Sequence, residues 1–437
     1  MKKQSEGFGS NSSNTALRSS NTAPISSNTV LVSVLTNAFR AFKIIVFMLC
    51  AAGPLWAQGS TALRLPIHSE STEPITFMRA PYRLHPQATT SSPNGFTPSQ
   101  IRHAYGFDQI SSQGAGQIIG IVDAYDDPSA ESDLGVFNQQ YGLPACTSSN
   151  GCFRKIYSGS KRPAGNANWS LEISLDIEWA HAIAPKATIL LVEASSNSLS
   201  DLLAGVDAAV RNGASVVSMS WTVGEFKSEA NQDNHFVSSG VTFFAASGDA
   251  GTGATYPAAS PDVVGVGGTA LVLDVNGNYQ SEIAWSGSGG GLSLYEREPM
   301  FQSLLGIPNN TRGYRGAPDV SYNANPGTGF AVYDSVALGG AKGWFRVGGT
   351  SAGSPQWAAL VAIANSMRVA NRKARLSGAN TQLYALSKSS PSANFHPVTI
   401  GTNGACGTVC NAGAGYDYVT GIGTPSAATL ISVLAAQ

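Results

Sequence analysis

The 437-residue sequence predicts an α/β fold in which a central, mostly parallel sheet is flanked by helices on both faces. Between residues 169 and 246 three near-continuous apolar strands alternate with amphipathic helices, as in a parallel sheet covered on both faces. Polar residues follow the strand ends, where such sheets bind ligands. These residues are Asp123, Ser220–Trp221, Ser247–Gly248–Asp249 and, later, Ser351. We therefore expect one large domain whose functional site lies at that edge.

The elements follow in a regular order along the chain. The first helix is predicted to begin at Pro98, with Thr97 as a candidate cap. Residues 142–165 predict a cysteine-containing loop, and residues 255–345 predict short strands and hairpins. Asn276–Gly277 there indicates a hairpin turn and not half of a calcium loop. The other predicted strands span 117–123, 187–193, 214–220 and 241–246, and the other predicted helices span 129–141, 169–183, 198–212, 226–239, 355–371, 378–387 and 425–436.

The composition limits the classes of function. Charged residues make up 12% of the chain, well below the usual quarter, whereas glycine is abundant with 48 residues. A surface of small polar groups is common among secreted hydrolases. The formal net charge is −1, so the chain offers no basic field for nucleic acid or for an anionic membrane. We expect neither as a partner.

Residues 1–57 predict a disordered region followed by a secretory signal peptide. The stretch 1–43 is rich in Ser, Asn and Thr, and it is followed by a basic flank, the apolar run 44–52 and the small residue Ala57. The apolar run is too short to span a bilayer comfortably, and a single N-terminal anchor is the alternative. Residues 58–95 predict a linker or a short pro-segment, and residues 96–437 the functional domain. We expect a secreted, extracellular protein without stable membrane association after signal cleavage.

Four cysteines remain once Cys50 leaves with the signal peptide. They lie in two close pairs, Cys146 with Cys152 and Cys406 with Cys410. In an exported chain such pairs predict two local disulfides, although the sequence alone permits three connectivities. No Cys-x-x-Cys pair or histidine cluster in the sequence indicates zinc.

The stretch Gly349–Gly353 places Ser351 in a tight turn before a helix that Pro355 opens. Backbone N–H groups and the helix dipole stabilise negative charge there, which suits a nucleophile whose reaction forms an oxyanion. The simpler interpretation is an N-cap serine. An esterase-type G-x-S-x-G elbow also fits formally, but it requires an acid and then a histidine downstream. Here His396 precedes Asp417, which is the reverse order.

A histidine-based triad is not supported by the sequence. The histidines between Asp123 and Ser351 are His181 and His235, and neither has the glycine-flanked helix start that a subtilisin-like triad needs. We interpret His181 as a packed or surface residue. The base for Ser351 must therefore be of another kind.

Glu172 and Asp176 lie at i and i+4 on a predicted helix and share one face. Their neighbours are apolar, so the two carboxyl groups are expected to be partly buried and to share a proton, which raises the pKa of one of them. Glu172 can then act as a general base at acid pH, with Asp176 orienting it. A solvated helix face is the simpler alternative, and we assign Glu178 to such a face.

Three motifs occur together in a characteristic order and spacing: Glu172-x-x-x-Asp176, Ser247-Gly248-Asp249-x-Gly251 and Gly349-Thr350-Ser351-Ala352-x-x-Pro355. This order is similar to that of the sedolisin family, the serine-carboxyl peptidases of the subtilisin-like clan. The stretches 218–221, 256–261, 288–291 and 415–421 also resemble the family. The similarity covers about residues 95 to 437, and it is specific because the motifs occur together.

The resemblance implies a subtilisin-like α/β fold and peptidase activity on polypeptides at acid pH, as an endopeptidase or a tripeptidyl-peptidase. It implies that Ser351 is the nucleophile, Glu172 the general base and Asp176 the residue that orients Glu172. Asp249 is the implied oxyanion-hole acid, protonated because a carboxylic acid donates a hydrogen bond only when it is neutral. We expect a monomer. The implied substrate cleft contains Ser220, Trp221, Ser288, Gly289, Gly290 and Gly291.

Two features depart from the family pattern. Sedolisins carry a C-terminal calcium site, for which Val398, Gly413, Gly415 and Asp417 are the matching residues, but Pro397 replaces an expected Asp. The site loses one anionic oxygen ligand, so we expect calcium binding to be weakened or replaced by a Cys406–Cys410 bridge. In addition, about 38 residues separate the predicted signal from the catalytic region, too few for the family's large pro-domain. A catalytically inactive, peptide-binding relative is the alternative function, and the presence of all four catalytic positions argues against it.

Overall fold

The computed structural model describes residues 77–84 and 91–437. The predicted signal peptide and Cys50 lie outside the described residues, as does most of the predicted linker. Within the two described ranges no helix is both long enough and apolar enough to cross a membrane.

The helices and strands are numbered in chain order. The strands are β1 (Arg83–Leu84), β2 (Ile118–Ala124), β3 (Phe153–Tyr157), β4 (Thr188–Ala194), β5 (Val216–Met219), β6 (Val223–Gly224), β7 (Thr242–Ala246), β8 (Thr255–Tyr256), β9 (Val263–Leu273), β10 (Tyr279–Ala284), β11 (Gly291–Arg297), β12 (Tyr314–Ala317), β13 (Val320–Asn323), β14 (Phe330–Leu338), β15 (Ala341–Gly348), β16 (Phe395–His396) and β17 (Thr424–Pro425). The α-helices are α1 (Pro98–Tyr105), α2 (Ala130–Tyr141), α3 (Ala167–Ile183), α4 (Leu199–Arg211), α5 (Met300–Leu305), α6 (Gly353–Ala370), α7 (Asn380–Ser389), α8 (Pro391–Asn394) and α9 (Ala427–Ala436).

A central sheet of eight strands organises the domain. Its order is β10–β9–β7–β5–β2–β4–β3, and β13 also pairs with β9. The β9–β10 hairpin is antiparallel, whereas the other pairings in this sheet are parallel. The prediction of a mostly parallel sheet is confirmed.

Helices cover both faces of the sheet because successive strand residues point in opposite directions. Ile121 of β2 lies in one buried apolar cluster with residues of α3 and α6, whereas the next residue, Val122, lies in a second cluster with residues of α4. Two covered faces explain why the central strands are continuous apolar runs in the sequence.

Two of the predicted elements are wrong. β3 lies inside the stretch predicted as a loop and pairs in parallel with β4 at the sheet edge. Phe153 is the fully buried residue of β3, so the strand lacks the apolar run of the central strands. The predicted helix 226–239 is instead a shorter 3₁₀ helix, Glu229–Phe236. Its Asn and Asp side chains compete for backbone hydrogen bonds and weaken an α-helix.

The predicted hairpin turn and the predicted local disulfides are confirmed. Asp274 Oδ1 accepts hydrogen bonds from the backbone N–H groups of Asn276 at 2.8 Å and Asn278 at 2.9 Å. Gly277 has a φ of 83°, which favours glycine. The disulfides join Cys146 to Cys152 and Cys406 to Cys410.

Candidate active site

Ser351 lies in the turn between a strand and a helix, as predicted. β15 ends at Gly348, a 3₁₀ turn contains Thr350–Ala352, and α6 begins at Gly353, slightly before the predicted start at Pro355. The Ser351 side chain is fully buried, and its hydroxyl donates to the main-chain carbonyl oxygen of Pro81 at 2.7 Å. The serine hydroxyl therefore touches a peptide carbonyl that the chain itself supplies.

Gly349 makes this close approach possible. Its φ is +114°, and a Cβ there would lie 2.4 Å from the Pro81 carbonyl oxygen and 2.6 Å from Oδ2 of Asp249. Any other residue would collide with both oxygens, so glycine is required. Because the two oxygens flank the same glycine, the carbonyl that Ser351 touches also lies beside the Asp249 carboxyl group.

The predicted carboxyl pair on α3 is fully buried behind Ser351. Burial raises the pKa of Glu172 well above its ordinary value, and the charges of Asp176 and Asp123 raise it further. Burial also raises the pKa of Asp176, again with a contribution from Asp123. The neighbouring hydroxyls of Ser351 and Ser220 oppose these shifts, but both donate their hydrogen bonds elsewhere.

Asp123 joins this pair from the end of β2. Sequence reasoning expected Asp123 at this edge of the sheet and considered it only as the Asp of a subtilisin-like triad, which the sequence does not support. Its side chain is fully buried, neither carboxyl oxygen has a hydrogen-bond partner among the described residues, and burial raises its pKa to about 8. Glu172, Asp176 and Asp123 form what we call the carboxyl cluster. Because its members are close together and buried, they cannot all ionise at once, so the cluster retains protons.

Asp249 follows β7 and reaches the same site. Its Oδ1 accepts hydrogen bonds from the backbone N–H of Thr350 at 2.8 Å and from the Thr350 hydroxyl at 2.9 Å. Oδ2 is buried and has no hydrogen-bond partner in the described part of the chain. Burial raises the pKa of Asp249 to about 7, opposed by the Thr350 hydrogen bonds and by Arg83. Because Oδ1 is already an acceptor twice, a proton on this carboxyl group belongs on Oδ2.

An extended segment, Phe77–Leu84, crosses the site, and we call it the cleft strand. The N–H of Met78 donates to the carbonyl oxygen of Asn197 at 2.7 Å, and Arg79 and Thr222 exchange two main-chain hydrogen bonds of 2.9 Å. Beyond Pro81, residues 83–84 pair antiparallel with residues 347–348 of β15. Sequence reasoning missed Asn197 and Thr222 as cleft residues, since main-chain partners leave no signal in side-chain identity.

Comparisons with known proteins identify the family and the fold of this chain. The family model described as the subtilase family matches residues 164–437. Kumamolisin from Bacillus sp. (strain MN-32) is 31% identical over 396 residues, covering 82% of this chain and 66% of kumamolisin. Sedolisin from Pseudomonas sp. (strain 101) is 29% identical over 374 residues, covering 77% of this chain and 60% of sedolisin. The structure of Pseudomonas sedolisin, a serine-carboxyl proteinase complexed with two molecules of pseudo-iodotyrostatin, matches with a TM-score of 0.66 and 27% identity over 79% of this chain and 99% of that one.

The chain belongs to the sedolisin family. The resemblance seen in the motifs and the subtilisin-like fold that it implied are confirmed. The chain spans 66% of the length of kumamolisin and 60% of that of Pseudomonas sedolisin.

The predicted substrate-binding residues of this chain form hydrogen bonds within the domain. The Trp221 side chain is fully buried, and its indole N–H donates to the Val122 carbonyl at 2.9 Å. The Ser220 hydroxyl donates to the Ser351 carbonyl at 3.4 Å. The stretch 288–291 is buried beside the segment that carries Asp249, where the N–H of Gly289 donates to the Gly248 carbonyl at 2.7 Å. A role for these residues in substrate binding stays a prediction.

Glu178 does not lie on a solvated helix face, so that prediction is wrong. Its side chain is fully buried, and Oε2 accepts a hydrogen bond from the backbone N–H of Tyr333 at 3.1 Å. The reason is that α3 packs against β14 and α2 as well as against the sheet and α6, so all of its faces are covered. His181 is also buried, so of the two interpretations given from the sequence it is the packed residue and not the surface residue.

The residues expected to hold calcium do not fit a metal site in this conformation. Both carboxyl oxygens of Asp417 accept hydrogen bonds from protein donors, among them the N–H groups of Gly413 at 3.1 Å and Thr420 at 2.8 Å. The side chain of Val398 lies in a small apolar cluster and has no ligand atom of its own. The loop is therefore held by hydrogen bonds of the Asp417 side chain, and calcium binding stays a prediction that metal analysis can test.

The protein is expected to be more stable in acid than at mildly alkaline pH. A carboxyl group whose pKa is raised on folding adds stability below its unfolded pKa, near 4, and this stability is lost as the pH rises through the folded pKa. The loss is complete once the pH has passed about 7 for Asp249 and about 8 for Asp123. We expect the Tm to fall by at least about 5 °C between about pH 4.5 and about pH 8.5. Calorimetry on the Ser351→Ala variant measures the Tm without any contribution from chemistry at Ser351, and an unchanged or rising Tm would contradict the prediction.

Proposed function

We propose that this sedolisin-family chain is a serine-carboxyl peptidase that hydrolyses peptide bonds of polypeptides at acid pH. The position of the Pro81 carbonyl oxygen is the observation that best supports this function. The oxygen lies 2.7 Å from the Ser351 hydroxyl and beside the Asp249 carboxyl group. A peptide carbonyl thus fits between the proposed nucleophile and the proposed oxyanion donor, with the carboxyl cluster behind the serine.

The proposed reaction begins with attack of Ser351 Oγ on the substrate carbonyl carbon, while the hydroxyl proton passes to Glu172. Glu172 must be ionised for this step, so in acid the reaction proceeds through the fraction of molecules in which the carboxyl cluster has lost one proton. Because the carboxyl cluster cannot hold three charges, one negative charge develops first and the remaining protons leave only at higher pH. Glu172 then gives the proton to the leaving amine, an ester forms on Ser351, and water hydrolyses the ester with Glu172 acting again as base. Asp176 and Asp123 position Glu172.

The oxyanion of the tetrahedral intermediate is stabilised by a hydrogen bond from protonated Asp249. The two Thr350 hydrogen bonds fix Oδ1 of Asp249, so Oδ2 faces the substrate oxygen and carries the proton. The raised pKa of Asp249, about 7, keeps this group neutral in acid. Two ionisations therefore bound the activity, since the carboxyl cluster must lose a proton and Asp249 must keep its own.

Replacing Asp249 by asparagine tests this role directly. Asparagine presents a carbonyl oxygen to Thr350 and a permanent N–H donor at the place of Oδ2, so we expect kcat at about pH 4 within about tenfold of the wild type. The alkaline limit set by Asp249 should move upward, because the amide does not ionise. The matched variant Asp249→Ala lacks any donor and should lose about 10²- to 10³-fold in kcat. Profiles of kcat against pH measure all three proteins, and an asparagine variant as inactive as the alanine variant would exclude the oxyanion role.

The mode of cleavage separates the remaining alternatives. An endopeptidase releases internal fragments from a denatured protein, whereas a tripeptidyl-peptidase releases tripeptides from a free N-terminus, and mass spectrometry of the products distinguishes them. An inactive, peptide-binding relative would give neither product. We further propose export by the signal peptide within residues 1–57, with the mature protein acting outside the cell as a monomer.

A further inference from the structure

The cleft strand binds to the domain as an extended peptide would. Its main chain is hydrogen-bonded to Asn197 and Thr222 before Pro81 and to β15 after it. Addition of an extended strand to main-chain groups, with side-chain pockets supplying selectivity, is a general mode of peptide recognition. The chain's own segment therefore shows the path that a bound polypeptide can take.

The position of Ser351 fixes the register of this path. Its hydroxyl touches the carbonyl oxygen of Pro81, so the bond between Pro81 and Tyr82 occupies the place of a bond to be cleaved. Counting from that bond, Met78 is the fourth residue on the N-terminal side, and Arg83 is the second residue on the C-terminal side. The domain contacts of these two side chains then describe two subsites.

Met78 occupies an apolar pocket. Its side chain has no exposed surface, and it belongs to the same buried cluster as Trp169, Leu202 and Trp221. Its neighbours in the strand differ, since Phe77 is 59% exposed and Arg79 is also exposed. Full burial of a methionine side chain stabilises a complex substantially, whereas a carboxylate in the same pocket loses its hydration without compensation.

Arg83 occupies a polar subsite beside the oxyanion acid. Its Nη2 donates to the main-chain carbonyl oxygen of Asp249 at 2.9 Å. The Arg83 side chain remains 55% exposed, and its Nε lies 4.0 Å from the Asp249 carboxyl group. The carbonyl accepts a hydrogen bond at any pH, so a basic side chain is favoured here even when Asp249 is protonated. The exposure makes this preference weaker than that of the buried pocket.

We infer that the cleft selects polypeptides with an apolar side chain four residues before the cleaved bond and a basic side chain two residues after it. This inference rests on the proposed peptidase function for its biological meaning. The selection itself is a property of binding and can be measured without cleavage.

The test uses the full chain and a set of eight-residue peptides based on the sequence of residues 77–84. In every peptide of the set, the position of Pro81 carries an equimolar mixture of amino acids. One variant peptide carries Asp at the position of Met78, a second carries Glu at the position of Arg83, and a control carries Glu at the position of Arg79. The cleft strand competes equally with every peptide, so it cancels in ratios of kcat/KM. We expect losses of at least about tenfold for the first, about threefold for the second and less than about twofold for the control.

Fluorescence anisotropy with labelled peptides and the Ser351→Ala variant gives the same ratios for binding alone. Losses that are equal at all three positions, in cleavage or in binding, overturn the inference. If the peptides differ in affinity as expected but the wild type cleaves none of them, the inference is upheld and the proposed peptidase function is refuted. The inference and the proposed function can therefore fail separately.

Substitutions of Met78 in the chain itself provide a second test of the Met78 pocket. Met78→Asp should weaken the binding of the cleft strand to the domain. The peptide that keeps the residues of positions 78, 79 and 83 should then show a rise of at least about fivefold in kcat/KM or in affinity. Met78→Leu keeps an apolar side chain of similar size and should remain within about twofold of the wild type. Equal behaviour of the two variants would show that the pocket does not anchor the strand and would overturn the inference.

Discussion

Replacing Ser351 by alanine is expected to lower kcat/KM on a denatured protein substrate by at least about 10⁴-fold. The change removes the proposed nucleophile and a hydroxyl that donates to the Pro81 carbonyl, while the glycine turn and the start of α6 remain. Nucleophile and base act as one unit, so loss of either costs nearly as much as loss of both. Initial rates at about pH 4, with equal amounts of folded protein judged by circular dichroism, measure the effect.

Ser354 supplies the matched control for this experiment. It is the second residue of α6, is also fully buried, and its hydroxyl shares a hydrogen bond of 2.8 Å with Ser218. Ser354→Ala removes an equally buried hydroxyl, so it should cost some stability but leave kcat/KM within about threefold. Activity of Ser351→Ala comparable to that of Ser354→Ala would mean that Ser351 is not the nucleophile.

Local periodicity was enough to predict the arrangement of the carboxyl pair. The i, i+4 spacing of Glu172 and Asp176 places both on one helical face whatever the rest of the fold does. The strand-end position of Asp123 was equally evident, because a parallel sheet brings its carboxyl ends to one edge. Its membership of the carboxyl cluster depends on strand order and on the packing of α3 against β2, which no local pattern specifies.

The burial of Glu178 could not be predicted from the sequence for a related reason. A carboxylate on a helix is normally solvated. A helix that is covered on every face has no polar face in its sequence from which the buried and exposed positions could be told apart. β14 supplies the missing cover, and it lies far along the chain from α3. The error therefore arose from a long-range contact, as did the missed strand β3 at the edge of the sheet.

The cleft strand was the least predictable part of the candidate site. Residues 58–95 showed little periodicity and were interpreted as a linker or a short pro-segment. The contacts of residues 77–84 are mostly main-chain hydrogen bonds, and the Met78 side chain is buried in an apolar cluster of the domain. Such pairing depends on an exposed extended path on the domain and leaves no pattern in the segment's own sequence. Whether the segment acts as a pro-segment stays a prediction.

Glu172→Gln is expected to lower kcat/KM by at least about 10³-fold while raising stability near neutral pH. The amide has the same shape, but it cannot take the Ser351 proton. Glu172 has a raised pKa, so its carboxyl group adds stability in acid and loses it as the pH rises towards and through the folded pKa. Glutamine does not titrate and avoids this loss, so the Tm of the variant should exceed that of the wild type at about pH 8 and differ little at about pH 4.

Glu178→Gln separates the catalytic effect from the electrostatic one. Glu178 lies on the same helix, is equally buried, and burial also raises its pKa, but its carboxyl group accepts from Tyr333. The glutamine variant should therefore gain stability near neutral pH, as Glu172→Gln does, yet keep kcat/KM within about threefold of the wild type. Rates and thermal unfolding of both variants across the pH range decide the assignment. If Glu172 is the base that takes the Ser351 proton, both variants should be stabilised near neutral pH and only Glu172→Gln should be inactive. Equal loss of activity in the two variants would instead mean that Glu172 is a structural residue.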